Sequence, residues 1–105
     1  MSSPRAELSP EARRDLEDIE SYIAEHDGEV RAVAITEHIE KAIRNLALMP
    51  GMGSRRYYLN RGQRAFSVSP WTIFYEELPG RNGISVVRVV DGRRDLPGIF
   101  QKKRR

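Results

Sequence analysis

The residues of this sequence that could do chemistry are mainly arginines. Those outside the C-terminal tail that we consider as ligand-binding residues are Arg55, Arg56, Arg64, Arg88, Arg93 and Arg94. Arginine binds anions well because its planar guanidinium presents five donors, but it transfers protons poorly because its pKa lies above about 12. The arginines therefore favour a protein that binds a partner over one that catalyses proton transfer.

The residues that usually transfer protons or hold metals are few. His26 and His38 lie on predicted helices, away from each other and without further ligands at metal-binding spacing, so we predict surface positions for both. Glu76 and Glu77 are neighbours on a predicted strand and point to opposite faces, so they do not form an acid–base pair. No histidine accompanies a strand-end serine. We predict no catalytic residue, no metal and no cofactor.

The most suggestive cluster is the run DGRRD at 91–95, which places four charges directly after an apolar stretch at 84–90. That stretch carries five aliphatic residues in seven, on both faces, which indicates a strand in the interior of a sheet. Charges at the end of a rigid strand are a candidate functional site. The alternative is that Arg93 and Arg94 form ion pairs with the neighbouring aspartates or with the acidic first helix.

The elements that position this cluster are predicted to be strands and two helices. Alternating and β-branched residues indicate strands at 65–69 and 71–78, and residues 5–8 could form a short edge strand. Ser9 and Pro10 begin a first helix as N-cap and first helical residue. Glycine at position 28 ends it, and a second helix follows at 29–49. The helices must form an antiparallel hairpin whose apolar side packs on the sheet.

Length and composition indicate a single domain. The 105 residues would bury roughly 65% of the unfolded surface as one domain spanning 1–105, with 101–105 a disordered basic tail. Cysteine is absent, so no thiol chemistry is expected. No apolar run approaches the roughly 20 residues that cross a bilayer, so we expect a cytoplasmic protein without membrane association.

Charge is distributed unevenly along the chain. Residues 1–50 hold six Lys/Arg against eleven Asp/Glu, a balance of −5, whereas residues 51–105 hold twelve against four, a balance of +8. In the loop at 51–62, arginines flank Tyr57 and Tyr58, a composition that can stack on bases and hold phosphates. The same residues can instead form a loop whose tyrosines lie on the sheet. Direct nucleic-acid binding therefore stays open.

Several segments together resemble the ParE branch of the RelE/ParE toxin superfamily. They are LSPEARRDLEDI at 8–19, PGMG at 50–53, IFYE at 73–76 and VVRVVDGRRDL at 86–96. The resemblance covers residues 6–100. It implies an α+β fold in which the helical hairpin packs on a small, mainly antiparallel sheet. It also implies the toxin of a type II toxin–antitoxin system of the plasmid-stabilisation kind, held inactive by a ParD-like antitoxin.

The branches of this superfamily differ in activity. The ParE branch acts on DNA gyrase, whereas the RelE branch cuts messenger RNA on the ribosome with arginines and a proton-donating tyrosine or histidine near the C-terminus. Arg94 matches the strand-end arginine, but the aromatic residue that follows is Phe100, which has no hydroxyl. Since general acid–base catalysis contributes typically 10²–10⁴-fold, the resemblance favours a non-catalytic gyrase inhibitor. A ribosome-dependent nuclease using Tyr57 or Tyr58, and an inactive antitoxin-binding module, are the alternatives.

Two sets of site residues follow. The residues expected to bind the target are Arg93, Arg94, Arg64 and Arg56. The residues expected to bind the antitoxin, across the hairpin and the adjacent sheet, are Tyr22, Ile23, Trp71 and Tyr75.

Overall fold

The computed structural model describes residues 4–80 and 82–101. Strand β1 (Arg5–Leu8) is followed by helices α1 (Pro10–Asp27) and α2 (Glu29–Leu48) and a short 3₁₀ turn (Pro50–Met52). Strands β2 (Gln63–Val68), β3 (Trp71–Glu77) and β4 (Gly83–Asp91) come next, and helix α3 (Leu96–Gln101) ends the described chain. The predicted strands and helical hairpin are confirmed, with boundaries shifted by one or two residues. Residues 102–105 of the predicted tail lie outside the described residues.

The four strands form one sheet in the order β1-β4-β3-β2. Strand β1 runs parallel to β4 and lies at an edge, as predicted, while the other two pairings are antiparallel. At Gly83, a Cβ atom would lie 1.9 Å from the carbonyl oxygen of Arg5. Only glycine therefore lets β1 approach β4 this closely, and its φ of 132° favours glycine as well.

Ser9 joins the start of α1 to the sheet. Its hydroxyl accepts a hydrogen bond from the amide of Ala12, which is the predicted N-cap contact, and donates one to the carbonyl of Val87 at 2.8 Å. Gly28, with φ of 92°, ends α1 and begins α2, so a single residue reverses the chain. These contacts fix the hairpin against β4.

The sheet is covered on both faces. The larger cluster, between the hairpin and the sheet, consists of Ala12, Leu16, Ile19, Ile23, Ala32, Ile39, Ile43, Leu46, Ala47, Val68, Ile73, Tyr75, Ile84, Val86 and Val89. The smaller cluster, on the opposite face beneath α3, consists of Tyr58, Ala65, Phe74, Val90 and Leu96. Because both clusters include β4 residues, the apolar character of that strand on both faces is accounted for.

Helix α3 differs from the sequence-based expectation, which had residues 96–100 only turn the chain back. The side chain of Asp95 accepts a hydrogen bond from the amide of Gly98 at 3.2 Å, and Pro97 lies in the first turn, where a missing amide donor costs nothing. The sequence DLPG therefore begins a helix as well as a turn. Within residues 4–80 and 82–101, no helix has the length and hydropathy to cross a membrane.

Candidate functional site

The charged cluster lies at a corner where β3 begins and β4 ends. Trp71 pairs with Asp91 in the sheet register, and the amide of Gly92 donates to the carbonyl of Pro70 at 2.7 Å. A Cβ atom at Gly92 would lie 2.8 Å from the Thr72 hydroxyl oxygen, so glycine is needed for this close contact. The corner therefore fixes the backbone from which the next two arginines extend.

Arg93 and Arg94 are both exposed but are held differently. The Nε and Nη2 atoms of Arg93 donate to the two carboxylate oxygens of Asp91 at 2.9 and 2.6 Å. The guanidinium of Arg94 makes no hydrogen bond or ion pair with the residues that the structure describes. The alternative that these arginines form ion pairs with neighbouring acids therefore holds for Arg93 and Asp91. That ion pair lies on the surface, because 78% of the Arg93 side chain is exposed. Both arginines are available to a partner.

The contact with Arg93 should change the titration of Asp91. Hydrogen bonds from the Arg93 side chain, and then from its backbone amide, lower the pKa of Asp91 from 3.8 to about 2. We expect a carbon-detected NMR titration of the Asp91 carboxylate to show a midpoint near 2, and Arg93→Ala to return it toward 3.8. Because the folded pKa is the lower one, the small stabilisation is present above pH 3.8 and is lost as the pH falls toward 2.

A groove of about 550 Å³, which we call the hairpin groove, runs between α1 and this corner. It is lined by Asp15, Asp18, Ile19, Tyr22, Trp71, Val89, Val90, Asp91, Arg93 and Arg94. Tyr22 is 60% exposed and stacks on His26, with ring centroids 4.1 Å apart, and Trp71 is half-buried. The structure therefore brings two predicted antitoxin-binding residues and two predicted target-binding residues into one groove.

The other two predicted antitoxin-binding residues are buried. Ile23 is 5% exposed within the hairpin core, and Tyr75 is 0% exposed beneath the hairpin. Neither side chain can contact a partner in this conformation, because the apolar stripe of α1 and the inward face of β3 are used for packing. The surface proposed for the antitoxin is therefore narrowed to Tyr22 and Trp71 and the groove between them.

Tyr75 holds the loop after α2 instead. Its hydroxyl donates to the carbonyl of Pro50 at 2.6 Å and accepts from the amide of Gly53 at 2.8 Å, and burial raises its pKa. We expect Tyr75→Phe to lower the free energy of unfolding by about 1–3 kcal/mol, because the buried Gly53 amide and the partly buried Pro50 carbonyl lose their partner. Faster hydrogen exchange at the Gly53 amide would confirm this reason, and an unchanged exchange rate there would contradict it.

The predicted target-binding arginines do not form a single patch. Arg64 extends to the loop and donates to the carbonyl of Gly53 at 2.9 Å, so the structure gives it a contact that supports the loop. Arg56 lines a second groove, of about 310 Å³, which we call the arginine groove. Its lining residues are Arg56, Ser67, Ser69, Pro70, Trp71, Thr72, Gly92, Arg93 and Leu96. Arg56 and Arg93 therefore meet across one groove, whereas Arg64 lines neither.

A structural ion pair was missed from the sequence. Asp15 is one of the acids of α1, yet its side chain is only 14% exposed and accepts hydrogen bonds from Arg88 Nε at 2.7 Å and Nη2 at 3.0 Å. It also accepts from the backbone amide of Val89 at 2.9 Å. The hydrogen bonds between Arg88 and Asp15 raise the pKa of Arg88. The available signal was an arginine in the middle of an otherwise apolar strand, which needs a charged partner.

The aromatic residue after the arginines is packed against the sheet. The ring of Phe100 lies 4.5 Å from that of Phe74 and 6.1 Å from that of Tyr58. The Tyr58 hydroxyl in turn accepts from Arg56 Nη1 at 2.9 Å. Within the described residues, no three His, Cys, Asp or Glu side chains are grouped in a way that could hold a metal ion.

Comparisons with known proteins agree on one family. Residues 6–96 match the model for the ParE toxin of the type II toxin–antitoxin system parDE. Toxin ParE3 of Caulobacter vibrioides is 34% identical over 89 residues, which cover 85% of this chain and 87% of that protein.

Two solved structures share the fold. The chromosomal ParDE system from P. aeruginosa gives a TM-score of 0.69 at 18% identity, covering 82% of this chain and 92% of that one. The toxin–antitoxin complex RelBE2 from Mycobacterium tuberculosis gives a TM-score of 0.56 at 18% identity, covering 86% and 99%. At this level of identity the two likenesses establish the fold alone, which is the predicted one.

Proposed function

The chain belongs to the ParE toxin family of type II toxin–antitoxin systems, and on that basis we propose that it inhibits DNA gyrase by binding, without catalysing a reaction. We further propose that residues 1–105 act as a single toxin domain in the cytoplasm and that a ParD-like antitoxin neutralises it. The observation that carries the proposal is the exposed pair Arg93 and Arg94 at the fixed end of β4. Arginines in such a position can bind carboxylates or phosphates of a macromolecule.

Two aromatic side chains in the described part of the chain support binding over catalysis. Phe100 stands where the nuclease branch has its proton-donating residue, and it is packed on Phe74. The hydroxyl of Tyr75 is buried and engaged with the backbone. A general acid must reach the leaving oxygen and hold its proton near neutral pH, and neither side chain meets this requirement.

One observation favours ribosome-dependent RNA cleavage as the second candidate. The hydroxyl of Tyr58 accepts a hydrogen bond from Arg56, and Arg56 lines the arginine groove. A tyrosine beside a guanidinium near an anion-binding surface is a pair that could serve phosphoryl chemistry. However, Tyr58 is only 9% exposed, so a substrate would reach its hydroxyl only after the loop moved.

The hairpin groove is the surface that we assign to the antitoxin. Tyr22 and Trp71 supply apolar area, and Arg94 supplies a guanidinium that makes no hydrogen bond or ion pair with the described residues. An antitoxin segment with apolar side chains and a carboxylate would complement this groove. Because Arg93 and Arg94 line the same groove, such a segment would cover the target-binding arginines directly.

Two assays on the purified toxin test the function. We expect inhibition of gyrase supercoiling that is reversed by adding the cognate antitoxin, and no messenger-RNA cleavage in a cell-free translation reaction. Codon-dependent cleavage without loss of supercoiling would favour the nuclease instead. Silence in both assays would indicate a chain that only binds its antitoxin.

A further inference from the structure

The arginine groove differs in charge from the hairpin groove. The hairpin groove is lined by three aspartates as well as two arginines, whereas the arginine groove has no carboxylate among its lining residues. Its charged groups are Arg56 and Arg93, and its polar groups are three hydroxyls, from Ser67, Ser69 and Thr72. Because its charged groups are all cationic and its polar side chains are hydroxyls, the groove is complementary to an anion with several acceptor oxygens.

Both guanidiniums are held in place with donors to spare. Arg56 is bonded through Nη1 to the Tyr58 hydroxyl and through Nε to the Ser54 hydroxyl, and its Nη2 has no partner among the described residues. Arg93 is held by Asp91 through Nε and Nη2, which leaves Nη1 without one. Arginines that are already held in place lose less rotamer freedom on binding a ligand than mobile arginines do. They therefore bind the ligand more tightly than mobile arginines would.

The hydroxyl of Thr72 is a further group that a ligand could bind. Thr72 lines the groove, and its hydroxyl makes no hydrogen bond with the residues that the structure describes. Within those residues the fully buried side-chain oxygen without a partner is that of Thr36, so the Thr72 oxygen is open to solvent. A ligand oxygen in the groove could therefore bind it in place of water.

The apolar part of the groove limits the class of anion. Trp71 lines the groove together with Pro70 and Leu96, and it also packs against the hairpin-side core. Tryptophan beside arginines is the combination with which proteins stack a base next to a backbone phosphate. The volume of about 310 Å³ and the open shape suit one nucleotide of an extended strand better than an isolated small anion.

We propose that the arginine groove binds a backbone phosphate of nucleic acid, with the adjacent base against Trp71. The proposal rests on the proposed function, in which this nucleic acid is the DNA held by gyrase. The toxin would then contact the DNA of the complex as well as the enzyme.

Trp71 provides the measurement, because it is the single tryptophan of the chain. Full-length toxin freed from its antitoxin is titrated with an oligothymidylate of about 12 nucleotides, a length typical of single-strand sites. We expect quenching of Trp71 fluorescence, and an affinity that falls with salt with a slope of about −0.7 for each phosphate contacted. Oligouridylate of the same length and duplex DNA form the comparison arms.

Two variants test the groove itself. Arg56→Ala is expected to weaken binding at least about fivefold and to reduce the salt slope by about 0.7. Thr72→Val changes no charge and is expected to weaken binding about threefold through the lost hydroxyl. The matched control is Arg61→Ala, which removes an exposed arginine of the same loop that does not line the groove, and we expect less than about a twofold effect.

The outcomes separate this proposal from the proposed function. Gyrase inhibition without any DNA binding would overturn the proposal that the arginine groove binds DNA, and so would equal losses of DNA affinity in Arg56→Ala and Arg61→Ala. Either result would leave the proposed inhibition of gyrase standing. DNA binding that depends on Arg56 and Thr72, without inhibition of supercoiling, would support the groove and overturn the function. Binding of oligouridylate alone would overturn the assignment to DNA.

Discussion

Replacing both Arg93 and Arg94 with alanine is expected to abolish toxicity while the protein stays folded. Both side chains are exposed at the end of β4, so they add little to packing. Removing one member of a charged pair at a tight interface typically weakens binding by two orders of magnitude or more. We therefore expect the toxin concentration that inhibits supercoiling by half to rise at least about 100-fold, and cells expressing the variant to grow normally.

Stability is the readout that a purely structural role would change. Because the Asp91–Arg93 pair is on the surface, its loss should move the melting temperature by no more than about 2 °C. Arg13→Ala with Arg14→Ala is the matched control, since it removes two adjacent exposed arginines from α1 outside both grooves. Full toxicity of the first variant, or an equal loss in the control, would contradict the assignment of the site.

The parts of the fold that were predictable are those that local patterns determine. The stretch 84–90 is apolar on both faces, and it became the interior strand β4 with a core on each side. Ser9 and Pro10 begin α1, and the glycine at position 28 separates the helices, because capping and positive φ depend on a few neighbouring residues. Such features need no knowledge of the rest of the chain.

The parts that were not predictable depend on contacts between distant residues. Asp15 looked like other acids of α1, and only the docking of the helix on β4 places it against Arg88, 73 positions away. Tyr75 was expected to bind the antitoxin on the sheet beside the hairpin, but strand alternation turns it inward. Arg56 and Arg64 are eight positions apart, yet the loop and the strand direct them to different places.

Asp15→Ala is expected to be the most destabilising of the polar substitutions considered. It would leave Arg88, whose side chain is 29% exposed, without its carboxylate partner, and would leave the Val89 amide without its acceptor. Losing a partly buried charged partner costs about 2–4 kcal/mol of unfolding free energy, less than for a fully buried pair because water still reaches Arg88. For a domain of this size the melting temperature should fall by roughly 10–25 °C, measured by calorimetry.

Two further variants show whether the pair is the cause. Glu17→Ala removes an exposed acid from the same helix and should change the unfolding free energy by less than about 0.5 kcal/mol. In the double variant Asp15→Ala with Arg88→Ala, the second substitution should cost less than it does alone, because no uncompensated charge is left behind. If the losses of unfolding free energy in the two single variants simply added up in the double variant, each residue would act separately. The coupling of α1 to β4 would then depend on apolar packing rather than on this ion pair.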